Sequence, residues 1–128
     1  MESEKKILVT CEIEVTLHVI GGKYKPLIIY FLTRNGTKRF GQILEYMGPI
    51  SQKTLTSQLR ELERDGIVTR KIYAEVPPKV EYSVTEKGRS LYPILQAMCR
   101  WGWENAGDKY ALITPQCSTS PKAKEHYR

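Results

Sequence analysis

The chain has 128 residues, 41% hydrophobic and 27% charged, a balance that excludes a disordered polymer and a membrane-embedded protein and allows one domain with its own core. No apolar run approaches the roughly 18 residues of a spanning helix, the opening MESEKKILVT lacks the apolar stretch of a signal peptide, and an odd set of three cysteines makes no disulfide framework. Twenty Lys and Arg against 14 Asp and Glu leave a formal charge of +6, which favours an anionic partner such as nucleic acid or a membrane surface.

Residues 1–10 are expected to form an N-terminal arm. Residues 13–20, IEVTLHVI, run into Gly21-Gly22. Their spacing allows either an alternating strand or a short helix stopped by glycine. Pro26 suits the first turn of a helix. The unbroken apolar run from Leu27 to Leu32 makes that helix buried nearly all round, and Asn35-Gly36 ends it. Phe40, Ile43, Leu44 and Met47 then fall at i, i+3, i+4 and i+7, one face of a helix, which Gly48-Pro49 breaks. Ser51 is placed as an N-cap. Leu55, Leu59 and Leu62 form a second stripe, with Gly66 just past its end. A short helix, a tight turn and a longer helix of about 14 residues make a helix-turn-helix.

After Gly66 the period changes. IVTRKIYAEV and KVEYSVT are rich in β-branched and aromatic residues and flank Pro77-Pro78, which predicts a hairpin with a stiff tip ending at Lys79. Thr85 is placed to cap one long last helix carrying Leu91, Ile94, Leu95, Met98 and Trp101 at helical spacing, with Cys99 expected to be buried on it. Residues 107–128, with Pro115, Pro121 and several Ser and Lys, are expected to be a flexible tail. The order helix, helix, helix-turn-helix, hairpin, helix predicts an α+β, mainly helical winged helix over residues 11–106, with extra helices at both ends.

The helix beginning after Ser51 is the candidate binding element. With Leu55 facing the core at 100° per residue, Lys53, Ser57, Arg60 and Arg64 fall on the opposite side. Such a face can enter a major groove with its first residues at base edges. Ser51, Gln52, Lys53, Thr54, Ser57 and Gln58 are the base-reading candidates. Arg39, Arg60, Arg64, Arg70 and Lys79 are the phosphate candidates, Arg70 and Lys79 through the hairpin. Arg60 and Arg64 are equally placed to meet internal acids. A charged helix face by itself is usually only solvated, and the case for double-stranded DNA rests on the turn and hairpin that accompany it.

Other chemistry is poorly supported. A helical segment 11–20 would put Cys11, Glu14 and His18 on one side. One Cys and one His do not complete a tetrahedral set, so no metal or other cofactor is expected. GxSxG, P-loop, CxxC and HExxH motifs are all missing from the sequence. Cys11 with His18 lacks a legible orienting group and oxyanion site, so no catalytic residue and no enzyme is expected.

Gly22-Lys23-Tyr24, RFGQILEYMGPISQKTLTSQLRELERDGIVTRKIY, EVPPKVEYSVTEKGRSLYPIL and Arg100-Trp101-Gly102 closely resemble the HxlR family of bacterial transcription regulators, relatives of the MarR group. The resemblance implies a cytoplasmic winged-helix homodimer on an inverted-repeat operator, with the first and last helices forming the dimer interface. Leu17, Leu91, Ile94, Leu95, Met98 and Trp101 are the interface candidates, against the alternative that this face is intramolecular core. Cys11 matches the N-terminal cysteine that senses oxidants or electrophiles in several relatives, although Glu12 follows it where proline is common. An inert thiol is the alternative. Cys117 is expected to be exposed in the tail, where a disulfide between it and Cys11 of a second copy is conceivable. The competing function is a winged-helix protein-interaction module without specific DNA binding.

Overall fold

The computed structural model describes residues 5–112. The tail from residue 113 onward, including Cys117, lies outside the described residues. The order is α1 (Glu12–Ile20), α2 (Lys25–Asn35), β1 (Lys38–Arg39), α3 (Phe40–Met47), α4 (Gln52–Arg64), β2 (Val68–Tyr73), β3 (Lys79–Val84), α5 (Glu86–Arg89) and α6 (Tyr92–Asn105). Residues 13–20, open to strand or helix by pattern, are helical, and the Gly21 N–H closes the helix on the Leu17 carbonyl at 2.7 Å.

α2 is the central post. Ile28, Ile29 and Leu32 are fully buried, as its unbroken apolar run requires. Around it pack Ile43 and Met47 of α3, Leu55, Leu59 and Leu62 of α4, Ile67 just before the sheet, Val68 and Val84 within it, and Leu95 of α6. Phe31 stacks on Tyr46 of α3 with ring centroids 3.9 Å apart, and Tyr30 stacks on Tyr92 of α6 at 5.3 Å.

The helix-turn-helix lies where the spacing places it. Ser51 Oγ accepts the Thr54 N–H at 3.0 Å and caps α4. At the other end the Ile67 N–H reaches the Leu62 carbonyl and the Gly66 N–H the Glu63 carbonyl. That double closure needs the left-handed backbone found at Gly66, φ +77°.

Two features differ from the sequence reading. The wing is a three-stranded sheet in the order β1-β3-β2, because Lys38 and Arg39 pair with Tyr82 and Glu81. Two residues are too short a run for period-two alternation to reveal. The long last helix is two helices. Thr85 caps α5 through the Gly88 N–H at 3.0 Å, and α6 begins afresh with Pro93 in its first turn. In a continuous helix Pro93 would have no N–H for the Arg89 carbonyl and its ring would strike it. Gly88, at the bend, is packed so tightly that a Cβ there would lie 2.4 Å from the Ile67 carbonyl oxygen.

Candidate nucleic-acid interface

α4 divides cleanly into two sides. Leu55, Leu59 and Leu62 are buried, while Lys53, Ser57, Arg60 and Arg64 are exposed. Ser51 and Gln52 are exposed at its start, and Thr54 and Gln58 are half-buried at the margins. Ser51 Oγ also donates to Thr54 Oγ1 at 3.0 Å, so both hydroxyls are drawn into capping the helix. The hairpin β2–β3 stands beside the helix with Arg70 exposed on β2 and Lys79 half-buried at the start of β3. Arg39 is exposed at the N-cap of α3, where its N–H donates to Gln42 Oε1 at 2.9 Å.

The five phosphate candidates separate into two electrostatic groups. Among the described residues, Arg39 and Arg60 have no carboxylate at ion-pair distance, and neither does Lys53. The other three meet internal acids. Arg64 Nε lies 3.1 Å from Asp65 Oδ1, and that hydrogen bond raises the guanidinium's pKa. Arg70 Nε is 3.4 Å from Glu63 Oε1, tying the hairpin to α4. Lys79 Nζ sits between Glu81 at 3.8 Å and Glu75 at 4.0 Å, over the Tyr73 ring. Tyr73 in turn donates its hydroxyl to Glu81 Oε1 at 3.0 Å. The sequence offers Arg64 both kinds of partner; Arg70 reaches Glu63 only through helix–hairpin geometry, whereas the acids beside Lys79 are local, Glu81 two residues on in the same strand and Glu75 four residues back.

One charged group escaped the sequence reading altogether. Lys25, at the start of α2, is 7% exposed, and its Nζ meets Glu61 Oε1 of α4 at 2.5 Å. The hydrogen bond and charge of Lys25 hold the Glu61 carboxyl below the usual range. A lysine separated only by Pro26 from a solid apolar run is the available signal.

The interface candidates on the end helices also divide. Leu17 of α1 is 57% exposed and Trp101 of α6 is 68% exposed, with Ile94 and Met98 exposed between them in chain order. Ile13 and Val15 extend the apolar surface of α1. Leu95 is different: it is 4% exposed and packs in the protomer's own core, with Leu91 half-buried against it. α6 turns that one side onto α2, so Leu95 is not available to a second copy. Cys11 is exposed, its thiol free, at the N-cap of α1. Cys99, expected to be buried, is half-buried on α6 and disulfide-bonded. His18 is exposed, and no cluster of three or more metal-ligating side chains exists among the described residues.

A capped second helix with an apolar inner side and a cationic outer side, flanked by a three-stranded wing, is the architecture of winged helix-turn-helix transcription regulators. The HxlR-like helix-turn-helix family model matches residues 19–110, and the chain belongs to that family. It is 54% identical over 102 residues to the HTH-type transcriptional regulator YkvN of Bacillus subtilis, covering 80% of this chain and 86% of that one. Among solved structures it is similar to the redox regulator HypR in its oxidized form, at 53% identity and a TM-score of 0.70, over 74% of this chain and 97% of the other. It is also similar to the reduced form of the transcriptional regulator YodB from B. subtilis, at 37% identity and a TM-score of 0.66, over 78% and 97%. The protein is therefore a transcriptional regulator of HxlR type and not an enzyme. No helix among the described residues is long and apolar enough to cross a membrane.

Proposed function

We propose that the protein is a cytoplasmic, sequence-specific DNA-binding regulator that grips an inverted-repeat operator as a homodimer. The observation that carries this reading is the outer side of α4, where Lys53 and Arg60 stand exposed with no acid partner among the described residues while the leucines opposite are buried. Ser51, Gln52, Lys53, Thr54, Ser57 and Gln58 line the major groove, and Arg39, Arg60, Arg64, Arg70 and Lys79 meet phosphates. Arg64, Arg70 and Lys79 exchange a carboxylate for a phosphate as they do so. Dimerisation covers the apolar surfaces of α1 and α6 at Leu17, Ile94, Met98 and Trp101, and sets the two α4 helices about one DNA turn apart.

Cys11 is the thiol through which oxidants or electrophiles reach the dimer. Its exposure and its place on α1 support this, as does the likeness to a protein described as a redox regulator. An adduct there needs to shift binding by only about 1–3 kcal/mol to act as a switch.

Selection of bound fragments from genomic DNA, by reduced protein and by protein treated with a mild thiol oxidant, tests both parts. Enrichment of one inverted repeat in the reduced sample alone supports the regulator and the switch. Cys11→Ser and Cys99→Ser then assign it, and only the first is expected to abolish the response. Enrichment in both samples rejects the switch. Enrichment in neither favours a protein-interaction module.

A further inference from the structure

We infer that the ion pair between the buried Lys25 and the part-exposed Glu61 is a positioning device that sets the pose of α4 for sequence discrimination, an inference that rests on the DNA-binding reading above. Lys25 occupies the first position of α2, where the helix dipole is positive and the first turn contains no acid. A cation is unfavourable there, and burial to 7% exposure makes it more so. The compensating charge visible for Lys25 in the described structure is Glu61, at 2.5 Å. An apolar residue in place of Lys25 would avoid both penalties, so burial of this one cation against a part-exposed carboxylate is poorly explained by stability alone.

Its geometry offers a different advantage. Glu61 lies on α4 next in sequence to Arg60 on the outer side and Leu62 in the core. Burial of Leu55, Leu59 and Leu62 holds the helix to the core through contacts that individually specify no direction. A short charged hydrogen bond is directional and adds an orientational constraint at Glu61. Lys25 is also only five residues beyond the last residue of α1, across the Gly21–Tyr24 connection. The pair therefore ties the outer helix of one function, α4, to the corner that carries the exposed apolar surface of α1.

The test compares wild type, Lys25→Met/Glu61→Gln and Lys25→Arg for thermal stability and for affinity toward two duplexes: the fragment that wild type selects, and a random duplex of equal length at the same salt. The double variant removes both charges together, so that no buried lysine is left without its partner, and is expected to keep its melting temperature. Its preference for the selected fragment over the random duplex is expected to fall at least about tenfold, the scale of one good base contact, while random-duplex affinity stays unchanged. Lys25→Arg keeps the charge and is expected to retain most of the preference. A double variant that folds and keeps the wild-type preference would overturn the inference, as would equal losses on both duplexes. If the double variant is unstable, amide exchange along α4 in Lys25→Arg decides: unchanged α4 protection together with a lost preference overturns it, and retention of both supports it. Failure of wild type to prefer any fragment overturns the DNA-binding reading itself, and this inference with it.

Discussion

Ser51 and Gly88 show how differently single residues encode their roles. Ser51 caps α4 by accepting the Thr54 N–H, and Ser51→Ala is expected to lower stability by about 1 kcal/mol in denaturant unfolding. Its role was legible because a cap involves only residues within one turn. Gly88 is invisible to such reasoning. A Cβ there would meet the Ile67 carbonyl oxygen at 2.4 Å and Val84 Cγ2 at 2.6 Å, and backbone cannot retreat as a flexible side chain does. Gly88→Ala is expected to cost about 1–3 kcal/mol, read as a lower denaturant midpoint at unchanged slope. Glu61 adds a pH dependence. Lys25 holds its folded pKa below the unfolded value, so its stabilising contribution is present above the unfolded carboxyl range near 4.3 and is lost as pH falls through the folded pKa. Glu61→Gln is therefore expected to be less stable than wild type at neutral pH and to converge with it in acid. Melting curves between neutrality and strong acid would show the two approaching each other; parallel curves would contradict the assignment.

At the scale of elements, the cations of α4 and the wing look alike in sequence and are not alike in space. Arg39, Lys53 and Arg60 stand without ion-pair partners among the described residues, whereas Arg64, Arg70 and Lys79 each face a carboxylate. A cation released from water alone contributes fully to phosphate binding, while one drawn from an acid leaves a repelling charge behind. Arg60→Ala is accordingly expected to weaken binding to all duplexes and reduce the slope of log affinity against log salt by about one. Lys79→Ala is expected to change it by less. Lys53→Ala, near the start of the helix, is expected to relax preference at one base position by about 1–3 kcal/mol, read by binding to a set of singly substituted operators. The split between α5 and α6 belongs to this scale too. Helical spacing continues from Thr85 to Trp101, and Pro93 marks the interruption that the apolar period conceals.

For the whole molecule, α1 and α6 keep large apolar side chains exposed while the elements between them are packed. Leu17, Met98 and Trp101 face solvent, although Leu95, one turn from both Met98 and Leu91, is in the core. Large apolar side chains gathered on two helices make a surface that a second copy is expected to cover. Met98→Glu/Trp101→Glu should leave the protomer folded, since both positions are exposed, and turn a dimer into a monomer in sedimentation equilibrium. In the proposed homodimer the two α4 helices reach one operator together, so the same variant is expected to lose affinity for the inverted repeat far more than for a single half-site.

By itself the amino-acid sequence determined the helix-turn-helix, its cap, the hairpin and the outer side of α4, because period, capping and turn chemistry act over a few residues and repeat along the chain. Tertiary structure decided the third strand, the fate of Leu95, the tight seat of Gly88, the half-burial of Cys99 and the pairing of Lys25 and of Arg70. Those depend on groups distant in sequence: Lys25 and Glu61 meet only when α2 and α4 pack, and Arg70 reaches Glu63 only when the hairpin folds against α4. A local pattern says which side of a helix is apolar. Whether a cation on the other side is available to a partner is settled by the acids that the rest of the fold brings to it.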